Sequence, residues 1–243
     1  MIDLHSHILP NIDDGAESIS EALEMLRDAQ SSGVRKIVAT PHYNPMYDWL
    51  NRNSPALNSL YHKLCEEATA QDIHIEISLG MEIRAFDEMT VMLERNELLP
   101  FGNTRYVLVE FDNWESERWC KKILGSLLQS DFIPVIAHPE RYEFVWDKPW
   151  NVYDWLEMGC EIQITKASML GRFGREAKLA SDDFLERGWV SCVASDAHGF
   201  QHRTAELKSA FTYLSENYSV NLAEMLLREN PSRILEGKPL RKG

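Results

Sequence analysis

The chain has 243 residues, enough for one large α/β domain or two small ones. Its formal net charge of −13 and sequence pI near 5.1 repel a phosphate backbone, which makes nucleic acid a poor partner. No apolar run approaches a membrane span and Met1-Ile2-Asp3-Leu4-His5 lacks the basic and apolar regions of a signal peptide, so the expectation is a cytoplasmic chain without membrane insertion.

Read in order, the chain alternates strands and helices. A short strand over residues 1–5 comes first. Ser18-Ile19-Ser20-Glu21 then fits a capping box, with Ser18 as N-cap and Glu21 returning to it. Ile19, Ala22, Leu23 and Leu26 follow at helical spacing, Gly33 stops that helix, and residues 35–40 read as the second strand. A helix over 55–70 leads to Ile73, Ile75, Ile77 and Leu79, an alternating strand ending at Glu82. A short helix near 87–95, the strand 106–109, a helix marked by Trp119, Ile123, Leu124, Leu127 and Leu128, and the strand 132–137 continue the rhythm. Two further helix–strand pairs place strands at 160–164, after Gly159, and 189–194, after Gly188. Helices near 203–217 and 221–229 and a last one opening at Asn230-Pro231-Ser232 close the chain, with Pro231 suited to a first helical turn.

Seven βα units without an intervening linker predict one α/β domain over residues 1–243, a seven-stranded barrel with its chemistry at the strand C-termini. An open doubly wound sheet would not bring the first and seventh strands together.

Those C-termini carry the most informative residues. His5 and His7 alternate, so they share one side of an extended segment. Such a pair is common by chance, but five of the eight histidines (His5, His7, His42, His138 and His198) lie at or just after strand ends. Asp13-Asp14-Gly15 adds carboxylates after the first strand, and Glu82 and Glu110 terminate apolar runs, where a buried carboxylate needs a cation or full hydrogen bonding. Mixed imidazole and carboxylate donors without cysteine favour manganese, iron or zinc, and Glu82 is suited to bridge two ions. Cys65, Cys120, Cys160 and Cys192 form no CxxC pair, and Cys192 reads as a small buried hydrophobe.

Asp3-x-His5-x-His7, Thr40-Pro41-His42, Gly80-Met81-Glu82, Glu110-Phe111, Ala137-His138-Pro139-Glu140-Arg141-Tyr142 and Ser195-Asp196-Ala197-His198 together resemble the polymerase-and-histidinol-phosphatase superfamily. Asp-Asp-Gly after HxH, the His-Pro-Glu-Arg-Tyr run and Ser168-x-Leu170-Gly171-x-Phe173-Gly174 resemble, more narrowly, the CpsB/CapC type of bacterial tyrosine-protein phosphatase. The resemblance spans essentially the whole chain. It implies a distorted seven-stranded, TIM-like barrel holding three divalent ions, usually manganese, with His5, His7, Asp14, His42, Glu82, Glu110, His138, Asp196 and His198 as ligands. It further implies Arg141 and Arg203 as phosphate-binding cations, catalysis with Asp196 and His198 at the same site, and a phosphotyrosine substrate on the tyrosine-rich tail of a bacterial kinase controlling capsule or exopolysaccharide export. Lys166 stands where a small residue is expected; it reads equally as an exposed strand-end lysine or a substrate contact.

No Cys-x5-Arg signature is present, so the expected reaction is direct hydrolysis by metal-activated water without a phosphoenzyme. A phenolate, with a reference pKa of roughly 10, leaves more easily than an alkoxide, and His198, His202 or a water are the candidate acids. Tyr43, Tyr47, Trp49, Phe111 and Trp114 form a candidate aromatic rim, unless they pack onto the barrel. A small-molecule phosphatase, such as one for histidinol phosphate, is the chief alternative. An amidohydrolase would often carry a carboxylated lysine where this chain has Glu110.

Overall fold

The computed structural model describes residues 1–241. Chain order runs β1 (Ile2–Ser6), α1 (Ile19–Ser31), β2 (Lys36–Ala39), β3 (His42–Asn44), β4 (Trp49–Leu50), α2 (Pro55–Ala70), β5 (Glu76–Leu79), β6 (Glu82–Arg84) and α3 (Met89–Glu94). It continues through β7 (Tyr106–Glu110), α4 (Glu117–Gln129), β8 (Ile133–Ala137), α5 (Glu143–Asp147), α6 (Trp150–Met158), β9 (Glu161–Thr165), α7 (Lys166–Met169), α8 (Gly174–Glu186) and β10 (Cys192–Ala194). Helices α9 (Lys208–Asn217), α10 (Val220–Glu224) and α11 (Asn230–Leu235) end it, the last two joined by a π-helical stretch, Met225–Glu229. None of the described helices is long and apolar enough to cross a membrane.

The strands lie in two sheets rather than the single closed seven-stranded ring expected. One orders β1-β2-β5, the other β10-β9-β8-β7-β6-β3-β4, and every pairing is parallel except β3 with β4. The division has a local cause. Between β2 and β3 stand Thr40 and Pro41, and proline has no N–H for a ladder; between β5 and β6 stand Gly80 and Met81. Gly80 N–H still reaches Ala39 O (2.9 Å) and Glu82 N–H reaches Pro41 O (3.2 Å), so each pair of strands steps from the small sheet into the large one. A parallel bridge between Ser6 and Ala197 joins the two sheets on the other side. Asp196 N–H to His5 O (2.9 Å) and His7 N–H to Ala197 O (2.8 Å) flank it, so the first and last strand ends meet.

Helices cover the sheets with apolar faces. Ala22, Leu23, Met25, Leu26 and Ala29 of α1 are buried, as are Cys120, Ile123, Leu124 and Leu127 of α4. Each such leucine removed from water contributes about 1.5–3 kcal/mol. Ser18 Oγ accepts from Glu21 N–H (3.2 Å) as a cap, but the Glu21 carboxylate turns to Glu17 N–H (2.9 Å) instead of closing the box on Ser18. The expected helix near 203–217 begins only at Lys208; the residues before it form a loop that reaches the site.

Candidate metal centre

Strand parity aims the donors. His5 and His7 leave β1 on one side, and the parallel register of β3 with β6 sets His42 directly beside Glu82. His138 and Asp196 follow β8 and β10 with φ of 35° and 52°, left-handed values that turn each side chain sharply off its strand. Such backbone costs about 1–3 kcal/mol per residue and concentrates where function requires it. Gly15 is required for a different reason: a Cβ there would stand 2.1 Å from His7 O, so only glycine lets the Asp13-Asp14 loop cross His7.

The donors meet in one cluster, buried at its base and opening outward at Asp14, which is exposed, and at half-buried Glu110 and His198. Nε2 atoms of His5 and His7 lie 3.2 Å apart, and Glu82 Oε2 is 3.0 Å from the first and 3.2 Å from the second. Asp196 Oδ1 is 3.3 and 3.7 Å from the same two nitrogens. His42 Nδ1 is 3.2 Å from Glu82 Oε2, and its Nε2 is 3.5 Å from Asp14 Oδ1, which also lies 3.3 Å from His198 Nε2. His138 Nε2 approaches Glu82 Oε1 at 2.9 Å and Glu110 Oε1 at 3.8 Å. Three overlapping groups result, His7-Asp14-His42-His198, His5-His7-Glu82-Asp196 and His42-Glu82-Glu110, each with donor atoms within 4.8 Å of one another. Glu82 belongs to two of them.

These donors fit divalent cations. Gln163 Oε1 accepts from His5 Nδ1 (2.9 Å), Asp13 Oδ2 from His7 Nδ1 (3.0 Å) and Asp196 O from His198 Nδ1 (3.0 Å). With Nδ1 thus the protonated nitrogen, each ring turns an Nε2 lone pair into the cluster. Asp196 Oδ1, His42 Nδ1 and His138 Nδ1 are buried without hydrogen-bond partners. Lone pairs crowded together in this way call for positive charge. Burial, followed by the charge of Glu82, pushes Glu110 up to about 8. Burial would lower His7, but Asp13 and Glu82 hold it well above the ordinary imidazole value. Burial instead lowers His42 to about 4 and also lowers His138 and His198, which favours the neutral imidazoles that a cation requires as ligands.

A cavity of about 460 Å³ opens over the cluster, lined by Asp14, His42, Glu82, Glu110, His138, Asp196 and His198 together with Arg141 and Arg203. Nη2 atoms of Arg141 and Arg203 each lie 2.7 Å from Asp196 Oδ2. Phe173 underlies both guanidinium groups, with centroid distances of 3.7 and 5.7 Å. The nine expected ligands and both arginines therefore converge, whereas His202 does not line this cavity.

A family model described as capsular polysaccharide synthesis, CpsB/CapC, matches residues 1–236. The chain belongs to the CpsB/CapC family. It is 34% identical to the tyrosine-protein phosphatase YwqE of Bacillus subtilis (strain 168), over 99% of this chain and 93% of that protein. It is 32% identical to the tyrosine-protein phosphatase CpsB of Streptococcus pneumoniae, over 97% of this chain and 98% of that one. A chain from the crystal structures of YwqE and CpsB, described there as unique metal-dependent tyrosine phosphatases, matches with a TM-score of 0.93 and 34% identity, covering 100% of this chain and 97% of that chain. The phosphotriesterase homology protein of Escherichia coli, at 12% identity and a TM-score of 0.65 over 96% of this chain and 97% of its own, shares the fold alone and marks it as TIM-barrel-like.

Several expectations for this CpsB/CapC chain need correction. Tyr43 is buried in the core, because it neighbours His42 on a strand whose side chains alternate; Phe111 is buried too but borders the cavity, Tyr47 and Trp49 line its rim, and Trp114 is exposed outside it. Trp49 stacks on His42 at 4.9 Å and Tyr47 on Trp49 at 5.1 Å. Lys166 is neither exposed nor at the cavity: it is fully buried. Sequence reasoning passed over Gln163, which supports His5 and was visible as a lone amide in an apolar strand, and it read Asp13 as one more pocket carboxylate rather than as the partner of His7 Nδ1. Arg84, two residues beyond Glu82 on the same strand face, lines the cavity paired with Asp112.

Proposed function

We propose that this CpsB/CapC chain is a metal-dependent protein-tyrosine phosphatase, carried by one domain over residues 1–243. It acts in the cytoplasm, and its substrate is phosphotyrosine on protein, the tyrosine-rich tail of a bacterial kinase that controls capsule or exopolysaccharide synthesis. The observation that carries the reading is the pairing of two guanidinium groups with a largely buried imidazole–carboxylate cluster in one cavity. Three overlapping donor groups, with His138 beside Glu82 at 2.9 Å, support three divalent ions, manganese foremost and iron or zinc as alternatives, held by His5, His7, Asp14, His42, Glu82, Glu110, His138, Asp196 and His198. Such ions activate water near neutral pH and offset phosphate charge.

The chain's own residues do the rest. Arg141 and Arg203 share one oxygen of Asp196, and the buried Arg203 Nε has no hydrogen-bond partner, so this guanidinium retains a donor. Guanidinium forks grip phosphate oxygens through paired hydrogen bonds. Four ligand carboxylates carry a formal charge of −4; three dications would leave a local excess of +2, to which the two arginines add two more. An acidic protein thereby offers a cationic pocket. His198 keeps both nitrogens engaged, with Asp196 O and Asp14, which fits a ligand better than a mobile proton donor.

A cysteinyl-phosphate route lacks its nucleophile. None of the four thiols lines the cavity, and burial pushes Cys120 and Cys160 up to about 12 and Cys192 higher still. Chelation should abolish phosphotyrosine hydrolysis and added manganese restore it; hydrolysis surviving complete metal removal would refute the reading.

A further inference from the structure

We infer that Lys166 is a positioning residue that holds residues 204–206, and through them Arg203, at the rim of the donor cluster. The inference rests on the reading of Arg203 as a phosphate-binding cation. Lys166 follows β9 directly, its side chain is 1% exposed, and Nζ donates to Thr204 O (2.6 Å), Glu206 O (2.6 Å) and Glu206 Oε1 (3.2 Å). An ammonium out of water persists only with compensation of this kind. What it grips is the exit of the loop that carries Arg203. Arg203 has φ of 50°, and its carbonyl accepts His198 N–H at 2.9 Å, closing residues 198–203 on themselves. The chain then passes straight into the two carbonyls bound by Lys166.

The preceding residue does the matching task on the other side. Thr165 Oγ1 receives Arg141 Nη2 at 2.9 Å. Two consecutive residues at the end of β9 thus set the two guanidinium groups that meet at Asp196. A small residue at 166 would remove this grip on residues 204–206, leaving the tethers on the far side, Glu206 N–H to Asp28 Oδ2 (3.0 Å) and Leu207 N–H to Ser32 Oγ (3.1 Å), which do not face the β9 end. Methionine at 166 preserves the length of the side chain but leaves two carbonyls without their donor.

The test is a double-mutant cycle in metal-loaded protein, reading kcat/KM on a phosphotyrosine peptide and, separately, affinity for inorganic phosphate. Lys166→Met should lower both about tenfold or more, as misplacement of a binding group does, with metal content unchanged. In an Arg203→Gln background the same substitution should cost less than about twofold, because the group it positions is already gone. An equal loss in both backgrounds, or no loss in either, would overturn the inference while leaving Arg203's role intact. If Lys166→Met does not fold, Glu206→Gln keeps the lysine and both carbonyls and removes the charge that faces Nζ, while an amide oxygen can still accept from Ser209. Its smaller loss should again vanish beside Arg203→Gln, and a loss that persists there contradicts the inference. Unchanged phosphate affinity in Arg203→Gln alone would instead refute the reading of Arg203, and the role of Lys166 with it.

Discussion

His42 and Glu82 stand side by side in the parallel register of β3 and β6, with His42 Nδ1 3.2 Å from Glu82 Oε2. The same carboxylate meets His5, His7 and His138. Despite complete burial, these neighbours, His5 and His42 foremost, hold it well below the ordinary glutamate value. Glu82 is the hub on which strands from both sheets converge.

Replacing it should therefore be more damaging than replacing a peripheral ligand. Glu82→Gln is expected to lose more than one bound ion per chain by elemental analysis and to lower kcat/KM by about 100-fold or more, since a shared donor is removed from two groups. Full metal content in this variant would contradict the bridging role.

Asp13 acts one step back. Its Oδ2 accepts from His7 Nδ1 and from His42 N–H, both at 3.0 Å, and although burial opposes ionisation, His7 draws its carboxyl down to about 2. Asp13→Asn is expected to keep the fold and to weaken metal affinity about 10- to 100-fold, measured by chelator competition. An unchanged affinity would show that His7 needs no such orientation.

Phe173 underlies Arg141 at 3.7 Å and Arg203 at 5.7 Å while remaining 36% exposed. A cation–π contact at a partly exposed site is worth about 0.5–1 kcal/mol. Phe173→Leu should accordingly raise KM for a phosphotyrosine peptide about two- to fivefold with little change in metal content. A fall in metal content with unaltered KM would count against a role through the arginines.

The thiols give a test by pH. With Cys120 and Cys160 pushed up to about 12 by burial, both stay neutral at pH 7.5, and the thiolate that reacts with alkylating agents accumulates only toward that value. Native protein treated with iodoacetamide at pH 7.5 should take up at most one adduct, at half-buried Cys65, by mass spectrometry. Rapid modification at Cys120, Cys160 or Cys192, or loss of activity with that adduct, would contradict a thiol-independent site.

The site was more legible in the sequence than the sheets that build it. Ionisable residues ending apolar runs, such as Glu82, Glu110 and His138, announce themselves because burial without compensation is so costly. The break of two strands at Pro41 and Gly80 was hidden, because Ile73, Ile75, Ile77 and Leu79 read as one alternation running on to Glu82. Tyr43 was available to the parity that made His5 and His7 a pair: a residue beside an inward donor must face the core. Lys166 was illegible for a deeper reason. Its principal partners are backbone carbonyls about forty residues away, and carbonyls carry no sequence signal.

The central claim is phosphotyrosine hydrolysis at the donor cluster. Metal-depleted protein reloaded with manganese, and given phosphotyrosine peptide, phosphoserine peptide and histidinol phosphate side by side, tests it most directly. The expected result is a kcat/KM for phosphotyrosine well above the other two, lost on chelation and lowered in Arg141→Gln. Equal or better turnover of histidinol phosphate would contradict it.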